Sequence, residues 1–137
     1  MKQNFKFSIS SLKDYLNHLA SINTVTSFES WSNDNSIILR HDVDLSLSMA
    51  YNVFKLEKSI GIKSTFFVLL SSPTYNVFSD ASRKILTEIV SSGFEVGLHF
   101  DPTIYPRHDS KSLSSYIVKE SEFLSSIIGI EIKSISF

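Results

Sequence analysis

The chain contains no cysteine. Disulfides, cysteine nucleophiles and thiolate zinc centres are excluded, and any metal is left to His, Asp and Glu. An excess of charge is also missing: thirteen Lys and Arg face fourteen Asp and Glu, for a net charge of -1. No broad field therefore favours nucleic acid or an anionic membrane. Long apolar runs are absent too. The opening stretch MKQNFKFSISSLKDYL has no segment of signal-peptide length, and nothing later approaches the ~18 apolar residues of a spanning helix. These absences lead to the expectation of a cytoplasmic protein with no nucleic-acid partner and no membrane segment.

What is present is ordinary for a globular chain. Of 137 residues, 42% are hydrophobic and 20% charged, which suits one domain over residues 1–137 with a single core. No linker, low-complexity tract or charge block divides it. Glycines punctuate a rhythm. LSMAYNVFKLEKSIG leads to STFFVLL, SDASRKILTEIVSSG to FEVGLHF, and KSLSSYIVKESEFLSSIIG to IEIKSISF. Gly61, Gly93 and Gly129 fit the left-handed position that ends a helix. Met49, Val53, Leu56 and Ile60 recur at helical spacing, as do Ile85, Leu86 and Ile89, so each helix is expected to bury one stripe.

The strands read as continuous apolar runs, as in parallel sheets covered on both faces. With SIILR as the first strand, the order is βαβαβαβ, and right-handed crossovers bring all strand C-termini to one edge. α/β proteins place their chemistry there. An extra helix is expected over residues 11–22, opened by a Ser11–Asp14 capping box, with Leu12, Tyr15, Leu16 and Leu19 covering part of the sheet. Residues 23–35 read as a loop.

Three loops leave the functional edge: RHDVDLS, SSPTYN and HFDPTIYPRHD. In extended chain, Asp42 and Asp44 share one side while His41 and Val43 take the other. Two neighbouring carboxylates repel unless one is protonated or both share a cation. His99, at the matching end of the third strand, is placed to add a neutral nitrogen. One carboxylate plus His99 is a partial zinc-type site, and the second carboxylate is then free to act as a general base, a combination suited to amide or ester hydrolysis. Plainer roles stand beside these. Asp44 suits a helix cap, His99 a satisfied core histidine, Asp101 before Pro102 a turn, and His108 an exposed loop. His18, on the N-terminal helix, is far from the edge. The case for chemistry is that two separate strand ends finish in ligand-type residues on one edge.

These segments carry a resemblance. ILRHDVD, GIKSTFFVLLSSPTYN and GFEVGLHFD, with the helices between them, resemble the polysaccharide deacetylase family with the NodB-type homology domain. The likeness spans residues 36–137 and is greatest to the branch found among bacterial surface-polysaccharide biosynthesis proteins. It implies an incomplete distorted (β/α) barrel, a divalent metal, usually zinc, and removal of an N-acetyl group from a sugar or polysaccharide precursor. Carried over, Asp42 is the catalytic base, with Asp44 and His99 as metal ligands. An ungapped match counted back from Ser64 instead makes Asp42 the ligand and puts His41 at the base position.

The chain also departs from that family. The H-x-x-x-H motif would put its second His at position 103, where Thr103 stands. Asp101 or His108 are substitutes, as is a residue from the end of the next strand, and SISF stops where that residue is expected. Relative to the family the chain therefore reads as C-terminally truncated, with weak metal binding and little catalysis expected. Two other readings remain: a doubly wound receiver-like signalling domain with acids and Mg²⁺ at its strand ends, and a non-catalytic sugar-binding remnant.

Overall fold

The structure, a computed structural model, describes residues 8–32, 35–106 and 109–137. It is mixed α/β, with parallel strands in two sheets and four α-helices. Helix α1 (Ile9–Ile22) starts earlier than the Ser11–Asp14 box suggested. Ser8 is the cap, its side chain accepting from the Ser11 N–H, and its hydroxyl bonds those of Ser10 and Ser11. This local hydroxyl cluster supplies the cap one turn upstream. Leu16 is buried with Val25 and Ile62, and Leu12 and Leu19 pack against them, whereas Tyr15 faces solvent.

The segment expected to be a loop contains a strand, β1 (Thr24–Thr26), paired in parallel with β2 (Ser36–Ile38). Three residues are too few to display an alternation, so this strand exists because β2 offers it a ladder. The run SIILR is likewise two strands, β2 and β3 (Arg40–Val43), separated by Leu39. The Leu39 N–H bonds Thr26 O while its carbonyl accepts from the Thr65 N–H. At this residue the chain exchanges one hydrogen-bonding neighbour for another.

From β3 the expected alternation holds: α2 (Leu47–Ile60), β4 (Thr65–Leu69), α3 (Asp80–Ser91), β5 (Glu95–His99), α4 (Ser110–Ile128) and β6 (Ile135–Ser136). The last strand is shorter than the apolar run IEIKSISF suggested. The order is β3-β4-β5-β6, all parallel, with no reversal among these strands. A doubly wound sheet needs such a reversal. Gly61, Gly93 and Gly129, with φ of 83°, 78° and 75°, sit at the ends of α2, α3 and α4 in the left-handed conformation expected.

Register sorts the side chains. Val43 pairs with Val68, Phe66 with Val96, and Val68 with Leu98. These residues form one core with Leu47, Ala50 and Phe54 of α2, Leu86 and Ile89 of α3, and Leu124 and Ile128 of α4. Three helices thus cover one face. Met49, expected on the buried stripe of α2, is 53% exposed. The helix lies between two clusters, with Leu47, Ala50 and Phe54 toward the sheet and Leu56 and Ile60 toward α1. Its apolar residues therefore occupy more than one stripe. No helix among the described residues is long and apolar enough to cross a membrane.

The other face carries Arg40, Asp42, Thr65, Phe67, Glu95, Gly97, His99 and Ser136 by the same alternation. Arg40 donates to Ser136 Oγ, and its guanidinium lies 5.0 Å from the centre of the Phe67 ring. β3 and β6 are the opposite edges of this sheet, about 14 Å apart if it were flat. One arginine and one serine do not span that distance, so the sheet curls around this face. Glu95, buried on it, accepts from the Glu29 N–H and from the hydroxyls of Thr65 and Ser134, which ties the segment after β1 beneath the curl.

Two substitutions test this packing. A Cβ on Gly97 would lie 2.6 Å from Phe67 ring atoms and 2.9 Å from Ser134 O. Gly97→Ala is expected to destabilise the fold by about 1–3 kcal/mol in urea unfolding, and wild-type stability would refute the curled packing. On the helix-covered face, Glu57 is fully buried, with Ser64 Oγ donating to one oxygen at 2.5 Å and His41 Nε2 lying 2.5 Å from the other. Glu57→Ala leaves both partners unmatched and is expected to cost about 3 kcal/mol by the same measurement. A change below about 1 kcal/mol would contradict this role.

Candidate functional site

The parallel register that buries Val43, Val68 and Leu98 also decides what stands at the strand ends. Leu69 pairs with His99, so Asp44, one residue past Val43, reaches the same level. Asp44 Oδ1 lies 3.2 Å from His99 Nε2. The imidazole is 18% exposed and the carboxylate 53%, which places the contact at a mouth open to solvent. Asp44 does not cap α2. That role belongs to Ser46, whose side chain accepts from the Met49 N–H.

Asp42 stands two residues back along β3, about 6.6 Å of strand. Its carboxylate is held by Arg40, with Nη2 at 2.7 Å from both oxygens and Nε at 3.2 Å from Oδ1. A guanidinium therefore neutralises Asp42 alone, and among the described residues the two acids share no partner. The structure joins Asp44 to His99 and joins Asp42 to Arg40. Being partly exposed, the arginine pair acts more through its forked geometry, which orients Asp42, than through Coulomb energy.

The other candidates divide. His41 points to the helix-covered face, its ring tilted against Phe66 at 4.9 Å and bonded to Glu57, as the strand alternation required. Asp101 caps a short 3-10 helix (Pro102–Ile104) with Oδ1, which accepts from both the N–H and the hydroxyl of Thr103. Those Thr103 bonds hold its carboxyl below the usual range, and the nearby His99 imidazole adds to the effect. Asp101 thus lies beside the Asp44–His99 contact, and Thr103 serves Asp101. His108 lies outside the described residues.

Residues to which the sequence attached no role also build this mouth. The loop after β4, expected only as a connection, sends three hydroxyls to three consecutive carbonyls. Tyr75 donates to Val43 O at 2.5 Å, Ser72 to Asp44 O at 2.7 Å and Thr74 to Leu45 O at 2.7 Å. Tyr75 Oη also accepts from the Leu69 N–H. Burial pushes the Tyr75 hydroxyl up to about 12 against the Leu69 hydrogen bond, with the Asp44 carboxylate adding to the rise. It therefore stays a donor across the whole neutral range. The signal in the sequence was faint: four hydroxyl residues within the stretch SSPTYN, at the strand-end edge.

Whether a metal suits the site can be judged from its atoms. Zinc bonds of 2.0–2.2 Å to nitrogen and oxygen at a tetrahedral angle set two ligand atoms about 3.3 Å apart, close to the Asp44–His99 separation of 3.2 Å. The other ring nitrogen, His99 Nδ1, is buried and has no hydrogen-bond partner. Asp44 Oδ1 and His99 Nε2 have the spacing of two ligands on one cation, while Nδ1 lacks the hydrogen bond that usually orients a metal-bound histidine. Among the described residues no group of three or more His, Cys, Asp or Glu converges to hold such a cation.

A cavity of about 400 Å³ adjoins this region, lined by His41, Asp42, Asp44, Met49, Val53 and Phe66 among others. His99 is not on its wall. Because His41 and Phe66 belong to the helix-covered face, the cavity is the groove between the free edge of β3 and α2, adjacent to the mouth and not the mouth itself. No protein-family model matches the chain, and no curated protein matches it.

Proposed function

We propose that the chain is a polysaccharide deacetylase-like hydrolase domain, whose curled sheet is of the (β/α)-barrel type and whose Asp44 and His99 hold a divalent cation, zinc. The observation that carries this reading is the 3.2 Å contact between side chains from the C-terminal ends of two different parallel strands. Support comes also from the three helices gathered on one face and from the resemblance carried by ILRHDVD, STFFV and EVGLH. The substrate class is an N-acetylated sugar or polysaccharide precursor, cleaved by water at the amide to release acetate and leave an amine.

In this reading a bound cation supplies the Lewis acid that polarises the amide carbonyl. The remaining work falls to the chain. Asp42, oriented by the Arg40 fork, is the proton acceptor on the curled face. Asp44 and His99 define the end of that face to which the acetyl group must come. Phe67, under the Arg40 guanidinium, keeps the floor of the face apolar beside Asp42.

The test is metal binding by the purified chain. One zinc per chain is expected by equilibrium dialysis, lost in both Asp44→Ala and His99→Ala but retained in His41→Phe, since His41 serves the opposite face. Zinc retained in the Asp44 and His99 variants, or none in the wild type, would remove the basis of this reading.

A further inference from the structure

The carbonyls of Val43, Asp44 and Leu45 lie between two ordered ladders. β3 ends at Val43, and α2 takes up its first hydrogen bond only at Ser46, whose carbonyl accepts from the Ala50 N–H. Backbone in such a gap usually bonds water and is correspondingly free to shift. Here all three carbonyls are taken by side chains of one neighbouring loop: Tyr75, Ser72 and Thr74. The loop is itself braced. Ser72 and Thr74 hydroxyls lie 3.0 Å apart, and the Thr74 N–H donates to Ser72 Oγ at 3.3 Å. Tyr75, through its bond from the Leu69 N–H, anchors this brace to the end of β4.

The Asp44 side chain gains most from this. Its carboxylate is 53% exposed and lies 3.2 Å from His99 Nε2, so its aim depends on how firmly its own backbone is held. We propose that Ser72, Thr74 and Tyr75 are positioning residues, a hydroxyl clamp that fixes the turn bearing Asp44 and thereby aims its carboxylate at His99. This rests on the reading of Asp44 and His99 as a metal pair. It assigns a role to the loop after β4, whose hydroxyls bond the backbone carbonyls of residues 43–45. Outer support of this kind fixes the geometry of a ligand whose own side chain is largely exposed.

The experiment compares Ser72→Ala, Thr74→Val and their double variant with Thr74→Ser, which keeps the hydroxyl. Thr74 is exposed, so its variants are expected to fold even if Tyr75→Phe does not. Two readouts are taken: Zn²⁺ affinity by chelator competition, and the NMR signal of the His99 Nε2 proton in the metal-free protein, which the approach of Asp44 Oδ1 to 3.2 Å shields from solvent exchange. The expected result is a Zn²⁺ affinity about tenfold or more weaker in the variants lacking a hydroxyl, with Thr74→Ser at the wild-type level. A purely structural role would lower the unfolding midpoint and leave the affinity of the folded protein unchanged. Wild-type affinity in the double variant overturns the clamp while leaving the metal pair intact. If the wild type binds no zinc, the metal reading falls and the NMR signal decides alone. Its loss in Ser72→Ala and Thr74→Val but not in Thr74→Ser upholds the clamp. Its persistence in the first two, or its absence from the wild type, ends it.

Discussion

Parallel register is the constraint on which the rest of this structure depends. Successive residues of a strand point to opposite faces, so aligning Val43 with Val68 and Val68 with Leu98 both builds the helix-covered core and brings Asp44 level with His99. A slip of one residue in β3 would turn Val43 and His41 toward the polar face and bury Asp42 and Asp44 under three helices. The hydrophobic effect that holds Val43, Val68 and Leu98 in place therefore also sets the geometry of the site. Burial of a few aliphatic side chains, each contributing about 1.5–3 kcal/mol, determines where two polar groups meet.

The two faces solve different problems. On the covered face, one fully buried polar group is Glu57, whose carboxylate is matched by Ser64 and His41. On the curled face, polar side chains dominate and pair among themselves: Glu95 with Thr65 and Ser134, and Asp42 with Arg40, which reaches on to Ser136. Buried polar groups need such partners. The same bonds that meet this need draw β3 toward β6 and curve the sheet. Curvature also brings Phe28 edge-on to Phe67 at 5.7 Å, closing the lower end of that face.

The strand-end mouth follows the same logic at its rim. Where β3 leaves its ladder, the freed carbonyls are met by hydroxyls from the next loop, and Asp101 turns its carboxylate to the N–H and hydroxyl of Thr103. The contact between Asp44 and His99 is framed by the loops after β3, β4 and β5. Each contributes a different group: a carboxylate, a set of hydroxyls, and an imidazole followed by a second carboxylate.

Much of the architecture was legible in the residues. Glycine at 61, 93 and 129 ended the helices because a left-handed backbone costs glycine little, and the β-branched and aromatic runs after them became parallel strands. Placement of Asp42 and Asp44 on one side, with His41 on the other, followed from strand alternation, a local rule. β1 was hidden because a strand of three residues carries no pattern of its own. Met49 was misplaced because α2 is buried from two directions, which a single stripe cannot express. Partners distant in sequence were beyond reach altogether. Nothing in the local chain says that Arg40 will take Asp42 and Ser136, that Glu57 will take His41, or that Ser72, Thr74 and Tyr75 will serve the carbonyls of residues 43–45. The sequence by itself determined the helices, the strands that follow them and the alternation of side chains along those strands, all governed by interactions between near neighbours. Only the tertiary structure decided which polar groups pair, because that depends on the curl of the sheet and on distances that no local spacing specifies.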